Sequence, residues 1–152
     1  MPNAVQDFLA SATQKAADDL IATLETIPPD KRTWKPAEGA RSAMDQFAEC
    51  AILNGSTAET ILNRTGPSAE FMGEYATIKD GLVQDEAAAR VLLEKNTAQV
   101  IAAIRTVPTE DLDATVVMPW GPMALHSLCA YPFWNMTYHQ GQIVYIASLL
   151  GD

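Results

Sequence analysis

Apolar residues recur along most of this chain at helical spacing, and breaks divide them into four long runs. The first covers about residues 4–27 and puts Phe8, Leu9, Ala12, Ala16, Leu20, Leu24 and Ile27 on one stripe. Pro28-Pro29 stops it, since neither residue can continue a helix, and residues 28–41 read as a loop carrying Trp34, Pro36 and Gly39. Ser42 reads as an N-cap with Asp45 three residues on, a variant of the capping box. Behind it Met44, Phe47, Ala48, Ala51 and Ile52 repeat at i, i+3, i+4, i+7 and i+8, and this second run reaches about residue 63 before the turn Arg64-Thr65-Gly66-Pro67. A third run, about residues 77–106, places Leu82, Ala89, Leu93, Val100 and Ile104 on one side and ends at Val107-Pro108. Residues 107–124 lose the helical period, and Val116-Val117-Met118 before Pro119-Trp120-Gly121-Pro122 predicts a short irregular or hairpin-like excursion. The last run, residues 125–150, contains Pro132, which either kinks the helix or marks the start of its long part. Four such segments predict an all-α four-helix bundle, one domain over residues 1–152.

Composition narrows the function. A chain of 152 residues, 48% hydrophobic, can bury roughly two thirds of its unfolded surface and needs neither disulfide nor metal simply to fold. Its 19 acidic residues outnumber 10 basic ones, a net charge of −9 that repels phosphate backbones and anionic lipid, so neither nucleic acid nor a membrane surface is an expected partner. No stretch approaches the ~18 apolar residues of a membrane span, and the first twenty residues lack the basic start and unbroken apolar core of a signal peptide. The expectation is a soluble, cytoplasmic protein. Cys50 and Cys129 form no CxxC pair and read as buried, reduced thiols.

The chemistry concentrates in the last run. On a helix projected from His139, Leu128, Ile146 and Leu150 fall within about 20° and Ile143 and Met136 within about 60°, yet Asn135 lies near −40° and Gln142 near −60°. Asn135, His139 and Gln142 thus sit inside the apolar stripe. A polar group buried in a bundle costs a few kcal/mol unless it is paired, so the three call for shared partners. Two readings stay open: a hydrogen-bond network that fixes helix register, or a ligand or catalytic site built on the bundle interior. His126, about 220° from His139 on a continuous helix, does not share its face.

Carboxylates would have to complete any site. Glu49 stands at the flank of the second run's stripe, and Glu86 lies near the apolar side of the third; each reads either as a solvated acid or as an inward one. Tyr131 and Tyr138 border the His139 face and could donate hydroxyls, or simply line the core margin. GxSxG, Walker A, HExxH and GxGxxG motifs are all absent, and no spacing supports a cysteine–histidine nucleophile.

Asn135-Met-Thr-Tyr-His139-Gln-Gly141-Gln142-Ile143 resembles the H-x-x-x-H-x-G-Q-I ending of the DinB-like (damage-inducible) superfamily of metal-dependent enzymes. Trp34-Lys-Pro36, then Ser42 and Glu49, is similar to that family's W-x-P loop leading into helix two, and the likeness runs over essentially the whole chain. The resemblance implies a four-helix bundle, often a homodimer, holding a divalent metal through three histidines. Carried over by position, those ligands fall on Glu49, Asn135 and His139, of which only His139 keeps the family's residue type. Zinc, nickel, iron or manganese suits carboxylate plus imidazole, whereas a neutral amide is a poor substitute ligand.

Family activity implies a metal-dependent thiol transferase or hydrolase: metal at Glu49, Asn135 and His139, His139 as catalytic residue, and Gln142, Tyr131 and Tyr138 around the pocket for a thiol or small electrophile. The rival expectation is a metal-free bundle in which these residues bond directly, binding a small molecule or acting as a structural or stress-related dimer without catalysis. For such a dimer Trp34 and Trp120 are contact candidates; each is otherwise a loop anchor on its own bundle.

Overall fold

The computed structural model describes residues 3–151; Met1, Pro2 and Asp152, at the ends of the predicted 1–152 domain, lie outside the described residues. Five helices follow one another: α1 (Ala4–Glu25), α2 (Ala43–Asn63), α3 (Ala69–Val83), α4 (Glu86–Thr106) and α5 (Leu125–Leu150). Between α4 and α5 lies a hairpin of β1 (Thr115–Met118) and β2 (Gly121–Ala124). Helices α1, α2, α4 and α5 form the bundle, α2 packing chiefly on α4 and α1 chiefly on α5.

Local chemistry explains most of the boundaries. Ser42 caps α2, its hydroxyl accepting from the Asp45 amide at 3.1 Å, while the Asp45 carboxylate turns to Arg41 and Lys79. At the other end of α2 the left-handed Arg64 (φ 56°) closes the helix with its N–H on the Thr60 carbonyl at 2.9 Å. Helix α5 runs unbroken through Pro132, and its first amides are held by the preceding loop: Leu125 N–H donates to Ala114 O (2.7 Å) and His126 N–H to Leu112 O (2.8 Å).

The expected third run over residues 77–106 is in fact two helices. Asp85 interrupts it by capping α4, its carboxylate accepting from the Ala88 amide at 3.0 Å. Helix α3 begins eight residues earlier than the pattern suggests, because Ser68 caps it by accepting from the Phe71 amide at 3.1 Å. No residue of α3 is fully buried. It lies against α2 and α4 with Phe71, Tyr75, Lys79 and Leu82 inward, a single face at i, i+4, i+8 and i+11.

The hairpin is antiparallel, Val116 opposite Met123 and Met118 opposite Gly121, with Pro119-Trp120 as its turn. Gly66 lets the α2–α3 connection pass close to it, since a Cβ there would lie 2.8 Å from the Val117 carbonyl. Two apolar clusters fill the bundle. The larger joins Leu20, Leu24, Phe47, Leu93, Met136 and Ile143, with Trp34 packed on it from the loop; the smaller joins Ile61, Val100, Ile104, Leu125 and Leu128 under the hairpin. Among the described residues no helix is long and apolar enough to cross a membrane.

Candidate functional site

Where α2 crosses α5, the bundle interior turns polar. His139 is 4% exposed, and acceptors face both of its ring nitrogens. Nε2 lies 2.9 Å from Glu49 Oε1, and Nδ1 lies 2.9 Å from Gln46 Oε1 and 2.8 Å from Gln142 Oε1. Two helical spacings produce this meeting. Gln46 and Glu49 stand one turn apart on α2, and Gln142 one turn beyond His139 on α5. Tyr138 sets its ring edge-on to the imidazole, centroids 5.3 Å apart.

The second carboxylate oxygen of Glu49 is taken as well. Arg41, in the loop just before α2, donates from Nη2 to Glu49 Oε2 at 2.6 Å and from Nε to Asp45. Lys79 of α3 completes the chain, 3.2 Å from the other oxygen of Asp45. His139, Glu49, Arg41, Asp45 and Lys79 therefore link α5, α2, the loop and α3 in one line of alternating partners. Burial pushes the Glu49 carboxyl up, but hydrogen bonding and charge from His139, with Arg41, outweigh it and hold the group at about 2.

Asn135 does not join this group. It is buried, and its amide turns toward the Cys50 sulfur at 3.8 Å, one helical turn from His139. Cys50 and Cys129 are free and buried, and burial pushes both thiols up, Cys129 to about 11. Glu86, the other carboxylate candidate, is the first residue of α4 and bonds Arg32 (2.7 Å) and Arg90 (3.0 Å), fastening the residue 28–41 loop to α4 away from His139.

Two openings flank the charged line. An open groove of about 540 Å³ runs past Arg41, Gln46, Tyr138 and Gln142. On the α3 side, a cavity of about 390 Å³ lies between α2, α3, α5 and the hairpin, walled by Leu53, Phe71, Tyr75, Met123 and Tyr131 with Trp120 among its lining residues. The two tyrosines feel the Glu49 charge: after burial it is the next cause raising each phenol, Tyr131 to about 12. Arg41, Gln46 and Tyr75 were not singled out by the sequence. Arg41 was legible as the i−4 and i−8 partner of Asp45 and Glu49; Tyr75 was hidden with the start of α3.

The donor set does not fit a divalent metal. Both oxygens of Glu49 are engaged, one by the imidazole that would be its co-ligand and the other by a guanidinium whose charge repels a cation. The third family position is an amide facing a thiol. Among the described residues no group of three or more His, Cys, Asp or Glu is placed to hold a metal ion.

Comparison with known proteins supplies the family. The described structure superposes on YfiT from Bacillus subtilis, described as "a probable metal-dependent hydrolase with an unusual four-helix bundle topology", with TM-score 0.79 at 14% identity, covering 96% of this chain and 87% of that one. A DinB-like protein, YjoA from Bacillus subtilis, gives TM-score 0.67 at 16% identity over 95% of this chain and 92% of that one. A Streptococcus pneumoniae protein gives 0.63 at 12% identity over 90% and 88%. At these identities the likeness is one of fold. No curated protein matches the chain. The DinB superfamily profile, however, matches residues 12–143, nearly the whole bundle, and the chain belongs to that superfamily.

Proposed function

We propose that this member of the DinB superfamily binds a small molecule without a metal, its Glu49–His139 pair being a positioning device rather than a metal centre. One observation carries the reading: His139 and Arg41 between them occupy both oxygens of Glu49, at 2.9 and 2.6 Å. Neither ring nitrogen of His139 is open to a ligand, so the imidazole holds Glu49 and the two glutamines in place instead of attacking or accepting a proton from a substrate. The probable metal-dependent hydrolysis described for YfiT and the thiol transfer implied by the resemblance both need an ion that this donor set does not accommodate. The chain's own thiols are buried with raised pKa values, which disfavours a thiolate mechanism in their place.

Elemental analysis of the protein, purified without affinity tag or added metal, tests this. Zinc, nickel, iron and manganese are expected near zero and to stay so after zinc addition and dialysis. Near-stoichiometric metal that disappears in His139→Ala would overturn the reading and return thiol transferase and hydrolase assays to first place.

A second reading, self-association, is favoured by a row on α5. Trp134, Tyr138, Tyr145 and Leu149 are all exposed on one helical face, and Trp134 stacks on Tyr138 with centroids 5.5 Å apart. Light scattering should give a dimer mass that Trp134→Glu with Tyr145→Glu reduces to the monomer; a monomer mass for the unaltered protein sinks it. Trp34, by contrast, is a loop anchor on its own bundle.

A further inference from the structure

We propose that the cavity between α2, α3, α5 and the hairpin is the ligand site, and that it takes an uncharged aromatic molecule of two or three rings. This deepens the small-molecule reading above and rests on it for a ligand being bound at all, not for the metal content of Glu49 and His139, neither of which lines the cavity.

Size sets the first limit. The cavity measures about 390 Å³, within the range of small-molecule sites. An apolar cavity of ~150 Å³ admits benzene, so by proportion this one holds roughly 15 non-hydrogen atoms.

Chemistry sets the second. Four aromatic rings line it, Phe71 and Tyr75 from α3, Tyr131 from α5 and Trp120 from the hairpin turn, with Leu53, Leu128 and methionine side chains between them. Phe71 and Tyr75 already meet edge to face at 6.3 Å, a geometry that a flat aromatic guest can extend. Methionines at Met72, Met118 and Met123 are flexible and polarizable enough to follow the guest's outline.

Charge sets the third. The two phenols stay protonated beside the Glu49 carboxylate, so they offer hydroxyls to one polar atom of the guest. The same carboxylate repels an anion, while Lys79, 5.4 Å over the Tyr75 ring, already takes the cation–π position there. An uncharged guest suits both. Helix α3, the wall without a fully buried residue, is the element able to shift as the guest enters.

Fluorescence titration with N-phenylnaphthylamine tests the site, with its sulfonated analogue anilinonaphthalene sulfonate as the charged control. Expected are saturable, one-to-one enhancement by the neutral probe, energy transfer from tryptophan that falls in Trp120→Phe, and at least tenfold weaker binding of the sulfonate. Leu53→Trp, which fills the cavity, should weaken the neutral probe tenfold or more. Phe71→Ala, on a helix outside the core, should weaken it several-fold and decides the matter if Leu53→Trp does not fold. Absence of enhancement, variants that bind as the unaltered protein does, or equal affinity for the sulfonate would overturn the proposal. The titration is run in chelator. Probe binding by a protein that elemental analysis finds metal-loaded would sink the metal-free reading and leave the cavity standing; no probe binding by a metal-free protein would do the reverse.

Discussion

Helix α2 buries polar side chains against two neighbours, and the two faces behave differently. Toward α4 the partners are neutral. Asn54 donates to Thr97 Oγ1 at 3.1 Å, and Asn96 donates to the Ala51 carbonyl at 2.8 Å where Gly55 leaves room for it. All of these groups are less than a tenth exposed and touch no opening named above. Toward α5 neutral contacts such as Gln46 to His139 and Asn135 to Cys50 are joined by a carboxylate: Glu49 meets His139, and Arg41 of the preceding loop takes its other oxygen and lines the open groove. Neutral amides that satisfy one another fix the register of two helices and give a ligand nothing to approach. Charges retained beside an opening, as Arg41 is at the groove, are costly as mere packing, and that cost is the physical reason to read the α5 face as the functional one.

The largest expected difference comes from removing the acid. Glu49→Ala leaves His139 buried without its carboxylate and Arg41 with Asp45 alone, and should destabilise by about 3 kcal/mol, the low end for breaking a buried pair. Thermal melts should show a fall of roughly 6–12 °C. The same group makes this face sensitive to acid. Its folded pKa of about 2 lies below the ordinary 4.5, so the stabilisation is complete above about pH 4.5 and is lost as pH falls toward about 2. Glu49→Gln should therefore lose less melting temperature than the unaltered protein between about pH 6 and about pH 3.

On the α4 face, Gly55→Ala places a Cβ 2.5 Å from Asn96 Nδ2 and pushes the amide off the Ala51 carbonyl. The expected loss is about 2 kcal/mol, equal at both pH values because nothing titrates there, and N-phenylnaphthylamine binding should be unchanged. A pH-dependent loss would erase the distinction between the faces. Lys79→Ala is the smallest change. It removes one ion pair with Asp45, worth less than about 1 kcal/mol, yet it should raise amide exchange along α3 more than along α4.

Much of this was legible in the sequence, for identifiable reasons. The α5 stripe carried Asn135, His139 and Gln142 at core positions; the observed helix buries His139 and Asn135 but leaves Gln142 exposed, reaching back to His139 from the edge of the stripe. The hairpin followed from Val116-Val117-Met118 and a Pro-Trp-Gly-Pro turn, which no helix tolerates. What was hidden depended on competition between signals. Asp85 is a weak helix interrupter within a continuous apolar period, so the cap that separates α3 from α4 was masked by residues that suit either helix. Asn135 shares a face with His139 by projection, but a buried thiol at Cys50 is the partner its amide reaches. The pairing of Glu49 with Arg41 depends on how the residue 28–41 loop returns to the bundle, which periodicity does not encode.

The central claim is that His139 and Glu49 bond directly, with no ion between them. A crystal structure of the protein grown with equimolar zinc measures this. Nε2 and Oε1 are expected still about 2.9 Å apart, with Arg41 on the other oxygen and no density between them. Strong density about 2.0–2.2 Å from both side chains, with Arg41 displaced, would contradict it.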